Sequence, residues 1–218
     1  MAAAIEIARS SGLFTVPEVL DCDEVGLKLS VEYIPSFVPL ARLDLAGEFR
    51  HEILYRVGAA LAAIHEGSWT RGDGVETPLF HGDPDGFNIG VDGQGRLTFL
   101  DWDPAPGLDR LSLDHREKDI GLIQIYFMTA LLGQLRWRPV PAPGFDSFLS
   151  GYGGQRPLDG RHALELATEV GTELCQWSNI PAVSLPRKLY YRVIRRVALR
   201  SLRRGHPGTN PTHGGASP

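Results

Sequence analysis

HGDPDGFN (His81–Asn88) and FLDWD (Phe99–Asp103) flank the most informative turn in the chain. Ile89 and Val91 lead into Asp92-Gly93-Gln94-Gly95, and Leu97 and Phe99 lead out. Apolar residues on both sides of a glycine-rich centre read as a β-hairpin. Counted outward from Gly93 and Gln94, Asn88 and Asp101 each lie about six to seven residues away, so paired strands bring them to similar heights. Asp83 sits five residues further back, in the loop that feeds the first strand. Local geometry alone therefore gathers Asp83, Asn88 and Asp101 at one end of one element.

An amide oxygen and a carboxylate suit magnesium, a hard cation that takes oxygen ligands and keeps room for water and phosphate oxygens. A further carboxylate that stays off the metal is available to accept a proton. Phosphoryl transfer needs this division of labour: one carboxylate orients the attacking hydroxyl, while an Asn and an Asp hold the cation that neutralises phosphate charge. Asp103 lies two residues beyond Asp101, on the same side of an extended chain, where it would assist. Two other readings stay open for these residues. Asp and Asn also build turns around glycine-rich hairpins, which is the expected role of Asp92. His81, Asp83, Asp101 and Asp103 would alternatively make a metal-dependent hydrolase site, although His81 reads more simply as a backbone-bonded loop residue.

The two segments resemble the catalytic loop and metal-binding segment of aminoglycoside phosphotransferases and their choline, homoserine and fructosamine kinase relatives: His-Gly-Asp, four residues, Asn, a short hairpin, then Asp-Trp. LAAIH (Leu61–His65) looks like the family helix ahead of that loop, VEYI (Val31–Ile34) like the hinge, and FLSGY (Phe148–Tyr152) like an element of the C-terminal lobe. The resemblance runs from about Val16 to Tyr152. It implies an α+β, protein-kinase-like fold, with a mostly helical C-terminal lobe and a truncated N-terminal β region. It also implies ATP with Mg2+ as phosphate donor and a hydroxyl-bearing small molecule as acceptor. By position, Asp83 would be the base, Asn88 and Asp101 the metal ligands, and backbone groups of Glu32, Tyr33 and Ile34 the adenine contacts. Asp119 resembles the Asp that braces the catalytic loop, and it also reads as a partner for a helix N-terminus.

Outward from the hairpin, Ala2–Ala8 are helix formers ended by Ser10, Ser11 and Gly12, and Val16-Pro17 opens an extended segment. Leu27–Ile34 reads as a strand after a turn at Glu24–Gly26, stopped by Pro35 and Ser36. Between Phe49 and Gly67, Ile53, Val57, Leu61 and Ile64 recur at helical spacing, with Gly67 as terminator. A buried helix is expected over Lys118–Leu132, a loop around a short apolar patch over Arg138–Gly160, and helices over Arg161–Trp177 and Leu185–Arg204. Residues 1–36 would be the remnant of the N-terminal lobe and hinge, 37–204 the phosphotransferase lobe and 205–218 a disordered tail. The last helix is strongly basic, a face that is usually solvated but would also take an anionic partner. Glu165, Glu169 and Glu173 form an acidic stripe that would attract a cationic substrate or pair with that helix.

The match departs at the front. The family sets a glycine-rich strand-turn-strand and a strand Lys paired with a helix Glu ahead of the hinge. Here Lys28 is the first lysine, in the strand next to the hinge, and Glu6 is the candidate partner. Asp85 stands where the family offers a cationic group, and its carboxylate adds repulsion unless it faces away. An inactive, pseudokinase-like binding module is accordingly the alternative function, and Met1 is either the true start or an internal methionine of a longer product. Composition is that of a globular protein, with 22% charged residues and net charge -4, which gives no whole-molecule pull toward nucleic acid. Two cysteines make neither a disulfide framework nor a structural zinc site, so a cytoplasmic setting without a membrane span is expected.

Overall fold

The structure, a computed structural model, describes residues 2–23, 26, 28–43, 47–70, 74, 76–102, 112–133, 145–153, 158, 160–177 and nine positions between 185 and 200; at 47–50, 69–70, 126–133, 145 and 177 it describes the backbone alone. Helix α1 (Ala2–Ser11) buries Ala4 and Ala8, one turn apart, and ends where Gly12 takes φ +65° and returns its N–H to the Ala8 carbonyl. Strands β1 (Val19–Asp23) and β2 (Lys28–Val31) pair antiparallel as a separate two-stranded ribbon, every residue of which is exposed. The strand expected over Leu27–Ile34 is thus shorter. Pairing runs out at the Glu32 N–H, which bonds the Glu18 carbonyl, and Ser36 then turns the chain at φ +55°.

Helix α2 (Gly47–Glu66) is the axis of the core. Ile53, Val57, Leu61 and Ile64, the positions set by helical spacing, are all fully buried, and Gly67 closes the helix by donating to the Ala63 and Ile64 carbonyls. A short ribbon of β4 (Ser68–Thr70) and β5 (Glu76–Pro78) follows. The expected hairpin is β6 (Ile89–Val91) and β7 (Leu97–Phe99), paired Ile89 to Phe99 and Val91 to Leu97. β3 (Val38–Pro39) adds to its outer edge, and Thr15 bridges to Thr98 on the other side, so the hairpin is clamped from both flanks. Asp92 builds the turn: its carboxylate accepts from the Gln94 and Arg96 N–H groups and from the Arg96 side chain.

Helix α3 (His115–Gly133) starts with a reciprocal capping box, in which the Glu117 N–H donates to the Asp114 side chain and the Asp114 N–H to Glu117. Helix α4 (Phe145–Tyr152) corrects the sequence reading, which treated this patch as part of a loop. Proline and glycine around it mask the signal, while Phe148 and Tyr152, one turn apart, both go into the core. Helix α5 (Gly160–Trp177) buries Ala163, Leu166, Ala167, Val170 and Leu174. Its acidic stripe is split: Glu165 pairs with Arg161 and Glu173 is buried. The described positions from 185 to 200 are helical, and Arg195 donates to Thr172 of α5. The expected tail lies outside the described residues.

Candidate functional site

Register delivers the first convergence. With Ile89 opposite Phe99, the next position outward sets the Leu100 N–H 2.7 Å from the Asn88 carbonyl, and Asp101 follows directly. Asn88 and Leu100 are therefore cross-strand partners at the open end of the hairpin, and Asp101 is the next residue beyond Leu100. Asp101 is exposed and adopts φ +53°, a left-handed conformation that costs a non-glycine residue of order 1 kcal/mol. Strain of that kind persists where the surrounding structure imposes it.

Asp83 joins the same end through Asn88, whose Nδ2 donates to the Asp83 carbonyl at 3.0 Å and lies 3.5 Å from the Asp83 carboxylate. Anchoring the amide nitrogen to the loop turns the carboxamide oxygen the other way. Asp85 folds inward: its Oδ1 accepts from the Phe87 N–H (2.7 Å) and the Asn88 N–H (3.0 Å). That turn accounts for a carboxylate at this position, because the charge is spent on backbone donors that fix the approach to Asn88.

His81 is fully buried between Phe99 and Trp102, with the indole 4.8 Å away, and its Nδ1 accepts the Asp83 N–H at 3.3 Å. Burial drives its pKa down to about 4, against the opposing pull of the Asp119 carboxylate. The ring is therefore neutral, and an Nδ1 that accepts places the proton on Nε2, the nitrogen left to meet the Leu100 backbone. Such a ring is a structural wedge under the loop. Among the described residues no three His, Cys, Asp or Glu side chains cluster to hold a metal, and Asp103 lies outside those residues.

Asp119 is inside α3, fully buried, and accepts three hydrogen bonds: from the His81 N–H (2.7 Å), the Gly82 N–H (2.8 Å) and His65 Nε2–H (3.0 Å). The loop leading to Asp83 hangs on this one carboxylate. His65 in turn meets the Tyr152 hydroxyl at 2.7 Å through Nδ1. Neither His65 nor Tyr152 was singled out from sequence; the LAAIH and FLSGY segments that contain them were the available signal.

The remaining sequence candidates stand apart from this cluster. Tyr33 is 82% exposed, Ile34 is half-buried and the Glu32 N–H is taken by Glu18. Lys28 lies at the tip of the β1–β2 ribbon opposite Asp23, and Glu6 is exposed on α1.

Comparison with known proteins bears on the fold. No protein-family model and no curated protein matches the sequence. Among solved structures, the choline kinase LicA from Streptococcus pneumoniae aligns with a TM-score of 0.55 at 15% identity, covering 92% of this chain and 78% of that one. The chain therefore has an α+β, protein-kinase-like fold. No helix among the described residues is long and apolar enough to cross a membrane.

Proposed function

We propose that a kinase-type fold carrying Asp83, Asn88 and Asp101 at one hairpin end is a phosphotransferase of the aminoglycoside phosphotransferase and choline kinase type. It moves the γ-phosphoryl group of ATP to the hydroxyl of a small molecule. The observation that carries this reading is the register that sets Asn88 opposite Leu100, the residue just before Asp101, with the Asn88 amide tied back to Asp83. An amide oxygen and a carboxylate form an oxygen-only donor set, which fits Mg2+. Bound there with ATP, the cation would neutralise charge on the phosphates.

The chain's own groups supply positioning. Asp83, half-buried and placed by Asp119 through the backbone of His81 and Gly82, orients the acceptor hydroxyl and takes its proton. Backbone groups of Tyr33 and Ile34 serve the adenine, and the Asp85 turn keeps its carboxylate occupied on the protein side.

One observation favours a binding module without turnover: Lys28 and Glu6 are both exposed, and no ion pair joins them among the described residues. Mg-ATP separates the readings. The enzyme reading expects Mg-ATP to raise the melting temperature and the wild type to consume ATP, while Asp83→Asn melts normally and turns over about 10²–10⁴-fold more slowly. Nucleotide binding without turnover in a well-folded wild type selects the binding module, and no nucleotide response defeats both. A hydrolase using His81 as a ligand is disfavoured, because that ring is fully buried and wedged between Phe99 and Trp102.

A further inference from the structure

Helices α2 and α4 cross at a contact made of glycine on both sides. A Cβ on Gly58 would stand 2.1 Å from the Phe148 carbonyl oxygen, and one on Gly151 would stand 2.0 Å from the Tyr55 carbonyl oxygen. The backbones touch directly there, which only residues without a side chain permit. This approach carries Tyr152, at the last turn of α4, to His65, at the last turn of α2.

The chemistry of the buried chain then fixes the orientation of the His65 ring. The Asp119 carboxylate accepts from two backbone N–H groups, so the third group facing it, His65 Nε2, must also be a donor. Nδ1, on the other side of the ring, meets the Tyr152 hydroxyl at 2.7 Å, a group that both donates and accepts and so bonds Nδ1 whichever role it takes. The alternative tautomer would turn a lone pair toward the carboxylate. Tyr152 thereby holds the His65 ring in the orientation that presents Nε2–H to Asp119, and Asp119 holds the two amides immediately before Asp83.

We infer that Tyr152 is a positioning residue for the loop that carries Asp83, acting from a separate helix through His65 and Asp119. The inference rests on the phosphotransferase reading for its effect on turnover, but its structural part is independent of that reading. Tyr152→Phe keeps the ring, the aromatic contact with His65 and the glycine crossing, and removes only the hydroxyl.

Amide hydrogen exchange at His81 and Gly82, read beside the global unfolding midpoint, is the test. The expected result is exchange faster by about tenfold at those two amides, roughly what one net hydrogen bond carries, with a near-normal midpoint. In Mg-ATP turnover the same variant should lower kcat and leave KM for Mg-ATP unchanged. His65→Gln, whose amide both donates and accepts, should recover more protection at His81 and Gly82 than His65→Ala. Unchanged exchange at these amides in Tyr152→Phe, or a rise matched across the whole molecule, overturns the inference. A wild type that neither binds nor turns over Mg-ATP would sink the phosphotransferase reading while the exchange result still decides the role of Tyr152.

Discussion

At the scale of single residues, two carboxylates that serve the proposed chemistry are treated in opposite ways. Asp119 is saturated by three N–H donors and fully buried, whereas Asp101 is exposed and held in a left-handed backbone conformation. A strained non-glycine residue implies a stability cost that a glycine would relieve. Asp101→Gly is therefore expected to unfold at higher denaturant, by about 0.5–1 kcal/mol, while losing the Mg-ATP-dependent gain in melting temperature. A variant that is both less stable and still responsive would remove Asp101 from the metal role. His81 makes a second prediction, with a definite sign. Its folded pKa lies below the value of 6.5 that the unfolded chain has, so between these values the unfolded state binds the extra proton. Stability is complete above pH 6.5 and falls as pH drops toward about 4, by about 3 kcal/mol at roughly 1.36 kcal/mol per pH unit. Urea unfolding across this window should show the slope in the wild type and lose most of it in His81→Gln; an equal slope in both would assign the acid sensitivity elsewhere. The tie between Asp83 and Asn88 was legible in sequence because their spacing is local, and the Asp119 brace, which spans 37 and 38 positions, was legible only through the family resemblance. His65 and Tyr152 were not, since their bond joins residues 87 positions apart.

At the scale of elements, legibility followed the strength of the periodic signal. The β6–β7 hairpin and α2 are where alternation and helical spacing set them, because each presents one continuous apolar face to the core. α4 escaped because eight residues are too short for a sustained period and the flanking sequence is rich in proline and glycine. Its existence depends on packing: Phe148 is fully buried, and Gly58 and Gly151 let α4 lie directly on α2. A methyl group at Gly151 has the Tyr55 backbone carbonyl in its way, with no flexible side chain to yield. Gly151→Ala should cost about 1–3 kcal/mol, the range for forcing extra volume into a packed contact, measured by chemical denaturation. Helix separation of this kind also draws Tyr152 from His65, so exchange at Gly82 should rise as well. A stability change below about 0.5 kcal/mol would mean the two helices part without consequence. The exposed β1–β2 ribbon is the opposite case: its strand alternation was half legible, but its shorter length is set by its partner, whose pairing ends at Val19 opposite Val31 and at the Glu18 carbonyl that takes the Glu32 N–H.

At the scale of the whole molecule, three ties hold separate pieces around the hairpin and its loop. The Thr15 bridge ties the N-terminal segment to β7, the Asp119 carboxylate ties α3 to the loop before Asp83, and the glycine crossing ties α4 to α2. The fold is recognisable as kinase-like at only 15% identity, and the TM-score of 0.55 leaves wide scope for local difference. Sequence resemblance outlined the lobe through a few motif residues. It left the acceptor unspecified, since acceptor pockets depend on elements that vary between proteins of one fold. The central claim is that Asn88 and Asp101 jointly hold a divalent cation beside a nucleotide, and Mn2+ added with ATP to isotope-labelled protein tests it directly. The paramagnetic ion should broaden the amide signals of Asn88, Leu100 and Asp101 selectively, with the effect lost in Asn88→Ala. Broadening confined to other acidic surfaces, or absent at these three residues with nucleotide bound, would contradict it.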